Sequence, residues 1–309
     1  MRCALHQANG TTGPGESVVQ TLQGFVKNRP LEPGAWLKGF GWDQNEWADT
    51  RFPTREQLDT AFPSTPIWLT RIDGHAAWAN SAAIRAAPLL PSKDPEGGTI
   101  ERDPATGLPT GVFTDNAMAL IENSIPVPTR KETADALTLV LADAAAHGLT
   151  GVHNPGITPG QVPLFKSFID AGKFTLRQYA MYLGVSGGLG RAATPSTPKV
   201  DPEYAGKLTV KAVKFFMDGA LGSWGAAMIQ NYTDRPDEHG QLRMTEAEYD
   251  RNVSAWAAAG FQIATHAIGD MANRVVLDKY RQICIDGGVP DLRYALNPWH
   301  AFHVRVSSF

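Results

Sequence analysis

The sequence predicts an α/β fold organised around a parallel sheet, on three observations. Beyond about residue 128, short apolar runs alternate with alanine-rich segments of helical period. Helical segments of roughly 10–15 residues between strands imply right-handed crossovers, the connection that parallel neighbours require. Polar residues then collect where the strands end, which is where doubly wound sheets and (β/α)8 barrels both build active sites. The five predicted strands suit either a doubly wound sheet or part of a barrel.

Each element has its own signal. Val18, Val19, Leu22, Phe25 and Val26 recur at helical spacing, and Thr54 with Gln57 has the form of a capping box opening a short helix. Between them we expect an aromatic loop over 39–47. Residues 66–72 read as a strand ending at Asp73-Gly74-His75, and the turn residues from there to about Pro128 predict loops with little regular structure. Thr129 and Glu132 then cap a helix carrying Leu137, Val140 and Leu141, which Gly148 stops. A strand over 149–153, a helix over 162–171 and strands over 176–183 and 208–217 follow. Thr245 and Glu248 cap a helix through Ala258; a strand over 261–266, a helix from Met271 to about Cys284 and a last strand from Leu292 complete the series. The chain accordingly divides into a loop-rich region, 1–128, with short helices and strands packing on the sheet, and a regular α/β region, 129–309.

Bulk properties narrow the partners. With 28 Lys and Arg against 31 Asp and Glu, a net charge of −3 and no basic cluster, neither nucleic acid nor an anionic membrane surface is implied. A small molecule is the expected partner, and self-association is left open. Cys3 and Cys284 form no disulfide framework or zinc ribbon, and no apolar run reaches the roughly 20 residues of a bilayer span. A cytoplasmic setting is the expectation.

The strand ends carry His153-Asn154, Lys214 with Asp218, His266 with Asp270, and His300. Alternation puts Val210, Ala212, Lys214 and Phe216 on one face and the large apolar Val213, Phe215 and Met217 on the other, so Lys214 points away from the helix-covered face. An ammonium there is penalised unless paired, deprotonated or chemically altered. Pairing with an inward carboxylate is one solution. The other is carboxylation by carbon dioxide, which makes an anionic metal ligand. Gln262, Ala264 and His266 share a face in the same way, and imidazole is a common ligand for zinc. Taken alone, His266 reads first as a satisfied core histidine; Asp270 reads equally as the N-cap of the next helix, and Asp73 as the stabiliser of a tight turn.

A resemblance bears on these readings. Residues 36–43 (WLKGFGWD), 69–75 (LTRIDGH), 213–223 (VKFFMDGALGS) and 266–270 (HAIGD) resemble, in order, signatures of the YtcJ-like amidohydrolases, a group that includes the N-substituted formamide deformylases. The similarity runs from about Glu16 to Arg293. It implies a TIM barrel with one or two divalent metal ions, usually zinc, and hydrolysis of a non-peptide C–N bond by a metal-activated water. Lys214 matches the family lysine that bridges metals after carboxylation, and His266 matches a metal-ligating histidine. Asp73 and His75 match a segment lining the substrate pocket, with His153, Asp218 and Asp270 as further pocket candidates.

The pattern departs from the family at both ends. No His-x-His pair occurs, His300 matches a sixth-strand histidine only with a displacement of two positions, and no acidic residue follows Asp291 to serve as the eighth-strand aspartate. The expectation is therefore a partial barrel, strands two to six, truncated at both ends, with metal ligands Lys214, His266 and His300 and no assignable proton acceptor. Two alternatives stand beside it. One is an inactive remnant or small-molecule-binding barrel without metal chemistry. The other is a metal-free glycosidase-like barrel, suggested by Trp36, Trp42, Trp47 and Trp78 near carboxylates.

Overall fold

The computed structural model describes residues 2–5, 16–184 and 204–286. Among them two compact units form: Met1–Pro126 with Asp218–Arg243, and Val127–Met217 with Met244–Phe309. Asp218–Arg243, which the sequence reading kept with the α/β region, groups with the first unit because its polar contacts run there. Gln44 Nε2 donates to the Gly222 carbonyl, and Asn116 Nδ2 to that of Arg243.

The first unit is built on a six-stranded sheet of order β1-β2-β3-β4-β6-β5. Its strands are β1 (Arg2–Ala4), β2 (Leu37–Trp42), β3 (Ile67–Arg71), β4 (Ala76–Ala79), β5 (Ile100–Arg102) and β6 (Pro109–Thr114). The pairs β1–β2 and β2–β3 are parallel; β3–β4, β4–β6 and β5–β6 are antiparallel. Helices α1 (Glu16–Asn28), α2 (Arg55–Ala61), α3 (Ser81–Ala86) and α4 (Ala119–Glu122) accompany it. Val18 and Leu22 of α1 join Leu37, Trp42, Ile67, Leu69 and Trp78 in one buried core. Burial of this kind stabilises by about 25 cal/mol per Å² of apolar surface.

Two expectations fail here. The aromatic stretch 39–47 was expected as a loop, yet its first part is strand β2, with Trp42 fully buried and its indole N–H donating to the Leu69 carbonyl at 2.7 Å. The span 75–128 is expected to hold little regular structure, yet it carries three strands and two helices. Short antiparallel strands joined by turns need neither long apolar runs nor helical period. Their pairing supplies what local pattern does not.

The second unit carries four parallel strands in the order β10-β9-β8-β7. These are β7 (Gly151–Ile157), β8 (Arg177–Leu183), β9 (Leu208–Phe216) and β10 (Gln262–His266). With α5 (Arg130–Ala146), α6 (Val162–Asp170), α7 (Glu246–Ala258) and α8 (Asp270–Asp286), they make the α/β arrangement that the periodicity predicts. The capping boxes at Thr129–Glu132 and Thr245–Glu248 are both formed, and Gly148, at φ +71°, follows α5 in the left-handed conformation its sequence position implies. The last predicted strand, from Leu292, lies outside the described residues.

Helices cover one face of this sheet. Trp256 of α7 contacts Tyr182 and Phe261; Tyr249 meets the Phe215 ring edge-on; and the Thr265 hydroxyl bonds those of Tyr249 and Tyr280 at 2.7 and 2.8 Å. The opposite face is where Lys214 and His266 belong by alternation.

Candidate metal centre and substrate pocket

The face opposite the helices begins with small residues. Ala212 and Ala264 pack with Met181 and Tyr179. Because they are small, the Tyr179 hydroxyl on β8 crosses β9 to the Gln262 side-chain oxygen on β10. The His153 ring lies on Tyr179 at 5.4 Å. Burial pushes the Tyr179 phenol up to about 12, so it stays a hydroxyl at neutral pH.

Further along the strands come the two strongest candidates. Ala264 pairs with Lys214, and His266 with Phe216, so the side chains of Lys214, Phe216 and His266 leave the sheet on the same side. The contacts agree. Lys214 Nζ lies 4.8 Å from the Phe216 ring centre, and the His266 ring lies 5.5 Å from that ring. Among the described residues no carboxylate pairs with Lys214. Burial instead pulls its ammonium down to about 8. A neutral amine is thereby within reach at mildly alkaline pH, and a neutral amine is the form that reacts with carbon dioxide.

The described residues fit a metal in part. Two donors, Lys214 and His266, share a face, but no group of three or more His, Cys, Asp or Glu gathers among the described residues. His300, the third expected ligand, lies outside them.

The other pocket candidates divide between the two units. His153 is exposed on β7. Asp270 is exposed at the start of α8, where its Oδ1 accepts the Met271 N–H at 2.9 Å. In the first unit Asp73 Oδ1 accepts the His75 N–H at 2.9 Å, while its Oδ2 pairs with Arg71 Nη1 at 2.5 Å. Asp218 is fully buried, its Oδ2 accepting the Ala227 N–H at 2.9 Å, so its carboxylate organises the turn after β9.

Sequence reasoning missed the polar centre of the first unit. Arg71, 2% exposed, binds Asp43, Asp73 and, at 2.7 Å, Gln44 Oε1. Asp115 meets His75, and Arg243 lies beside it. Arg71 and Asp43 sit inside the motifs already singled out, so their pairing was open to inference. Asp115 follows the apolar pair Val112-Phe113, a strand end hidden by the turn residues around it.

Comparison with known proteins decides the family. The amidohydrolase family description matches residues 4–301. The chain belongs to the amidohydrolase family. It is 31% identical to the putative amidohydrolase YtcJ of Bacillus subtilis strain 168 over 85% of this chain and 49% of that protein. It is 30% identical to the N-substituted formamide deformylase of Arthrobacter pascens over 87% of this chain and 50% of that one. The chain thus spans about half the length of the curated amidohydrolases it matches. Its fold is similar to that of an uncharacterized metal-dependent hydrolase from Pyrococcus horikoshii OT3, with a TM-score of 0.57 and 23% identity over 91% of this chain and 52% of that one. No helix among the described residues of this amidohydrolase is long and apolar enough to cross a membrane.

Proposed function

We propose that this amidohydrolase chain carries part of the active site of a metal-dependent hydrolase acting on a small, non-peptide C–N substrate of the amide or formamide kind. Its parallel strands would then form part of a (β/α)8 barrel. The observation that carries the reading is the placing of Lys214 and His266 against one ring, on one sheet face, with the amine desolvated. Family membership and the deformylase relative support the bond type.

In this reading Lys214 loses its proton, and its Nζ lone pair adds to carbon dioxide. The resulting carbamate releases a second proton and presents anionic oxygens where a cation stood. His266 offers an imidazole lone pair from the neighbouring strand. Together they would hold a divalent ion, with zinc expected. Such an ion supplies Lewis acidity and a hydroxide drawn from bound water near neutral pH. The Tyr179–Gln262 bridge and the His153 ring line the same face, and Asp73 and His75 remain the residues for the substrate side. His300 is the candidate third ligand. A cytoplasmic, reducing setting suits the thiols.

Metal analysis of the purified full chain tests this. Stoichiometric divalent metal in the wild type, lost in Lys214→Ala and in His266→Ala, is the expected result. A folded wild type that takes up no metal from a zinc-containing buffer would refute the metal reading. It would instead favour a binding protein that has lost metal chemistry.

A further inference from the structure

Asp115 sits just after β6 with φ +47°, in the left-handed region where asparagine and aspartate are among the few tolerated side chains. Its N–H donates to the His75 carbonyl at 3.0 Å, and its Oδ1 lies 2.7 Å from His75 Nδ1. The side chains are 1% and 9% exposed, so the contact is made out of water. Arg243 Nε stands 3.6 Å from the same oxygen, and that guanidinium is itself fixed on Asn116 Oδ1 at 3.1 and 3.0 Å. Among the described residues Asp115 Oδ2 is buried with no hydrogen-bond partner.

Two glycines leave the carboxylate room for this pose. A Cβ at Gly219 would fall 2.3 Å from Asp115 Oδ2, and one at Gly225 2.4 Å from it. The carboxylate therefore fills a slot that two absent side chains leave. An ionised carboxylate only accepts hydrogen bonds, so the His75 nitrogen facing it must carry the proton. In the neutral ring Nε2 is then the nitrogen with the lone pair.

We propose that Asp115 is a positioning residue: it holds the His75 imidazole in one orientation and in the Nδ1–H tautomer, so that Nε2 is the basic atom His75 brings to the substrate. The second half of this rests on the reading that His75 lines the substrate pocket. The first half rests on the geometry alone. Arg243 lies beside the carboxylate, and the glycine slot gives it room.

The test uses the full chain labelled with ¹⁵N-histidine. Side-chain ¹H–¹⁵N correlation spectra are recorded well above the ordinary imidazole titration range, and His75→Gln identifies the His75 signals. The expected wild-type spectrum shows Nδ1 protonated and Nε2 bare. Asp115→Asn, isosteric and tolerant of the same backbone conformation, should reverse the two nitrogens by presenting an amide donor to Nδ1, with the other histidines unchanged. A wild-type His75 protonated at Nε2, or a reversal absent from a folded Asp115→Asn, overturns the proposal. The wild-type spectrum decides alone if the variant does not fold. With an N-substituted formamide as substrate, Asp115→Asn should lower kcat by about 10²-fold or more at little-changed KM. If the wild type hydrolyses none, the proposed function fails while the tautomer result still stands or falls by itself.

Discussion

Lys214 places its amine 4.8 Å from the centre of the Phe216 ring, and no carboxylate among the described residues answers its charge. A desolvated ammonium over an aromatic face keeps some attraction but loses most of its hydration. The fold retains an unfavourable group at a strand end.

That cost is measurable. In the presence of a chelator, Lys214→Met should unfold at higher denaturant than the wild type, by about 1–3 kcal/mol, because a thioether of similar length needs no hydration there. Added zinc should reverse the order, stabilising the wild type and leaving the variant unchanged. Paired urea titrations read both outcomes, and equal midpoints without metal would show that the amine is well solvated.

Arg71 should be the least replaceable side chain of the first unit. It is buried against Asp43, Asp73 and Gln44, and its guanidinium lies 6.0 Å from the Trp42 ring centre. Arg71→Met strands two carboxylates and is expected to cost about 3–5 kcal/mol. Arg71→Lys should recover only part of this, because an ammonium cannot match the planar fork. Equilibrium unfolding of the three proteins decides it, and a loss under about 1 kcal/mol in the methionine variant would contradict the buried network.

Glu101 predicts a pH dependence. Burial raises its carboxyl above the ordinary value, against the opposing pull of Arg235 at 3.4 Å. The folded state then holds the proton more tightly than the unfolded one. The stability this brings is complete below the unfolded-state value near 4.3 and is lost as pH climbs through the higher folded value. Glu101→Gln should therefore remove a decline in melting temperature as pH rises above about 4. Melting curves across that range test it, and parallel wild-type and variant profiles would refute it.

Thr265 joins two tyrosines behind β10. Its hydroxyl bonds those of Tyr249 and Tyr280, all three buried, and Tyr249 is held far above the usual phenol range by burial. Thr265→Val keeps the shape and deletes the shared partner, at an expected cost of about 1–3 kcal/mol. Thermal unfolding measures it. A neutral substitution would mean that water replaces the hydroxyl.

What the sequence by itself determined is the second unit, together with α1, α2 and β3 of the first. The capping boxes at Thr129 and Thr245, the stop at Gly148 and the period-two runs around Lys214 and His266 are local signals, each complete within a few residues. Because a parallel pair aligns side chains across strands, alternation alone put Lys214 and His266 on one face. Tertiary structure decided the rest. Strand β2 hid in a run of aromatics and glycines, and β4 to β6 hid among turn residues, because their stability comes from cross-strand partners outside each run. The same reason concealed the polar centre of the first unit. Asp115 and His75 are 40 residues apart, and Asp115 and Arg243 further still. A buried charge is tolerated only where its partners converge, and that convergence is a property of the folded chain.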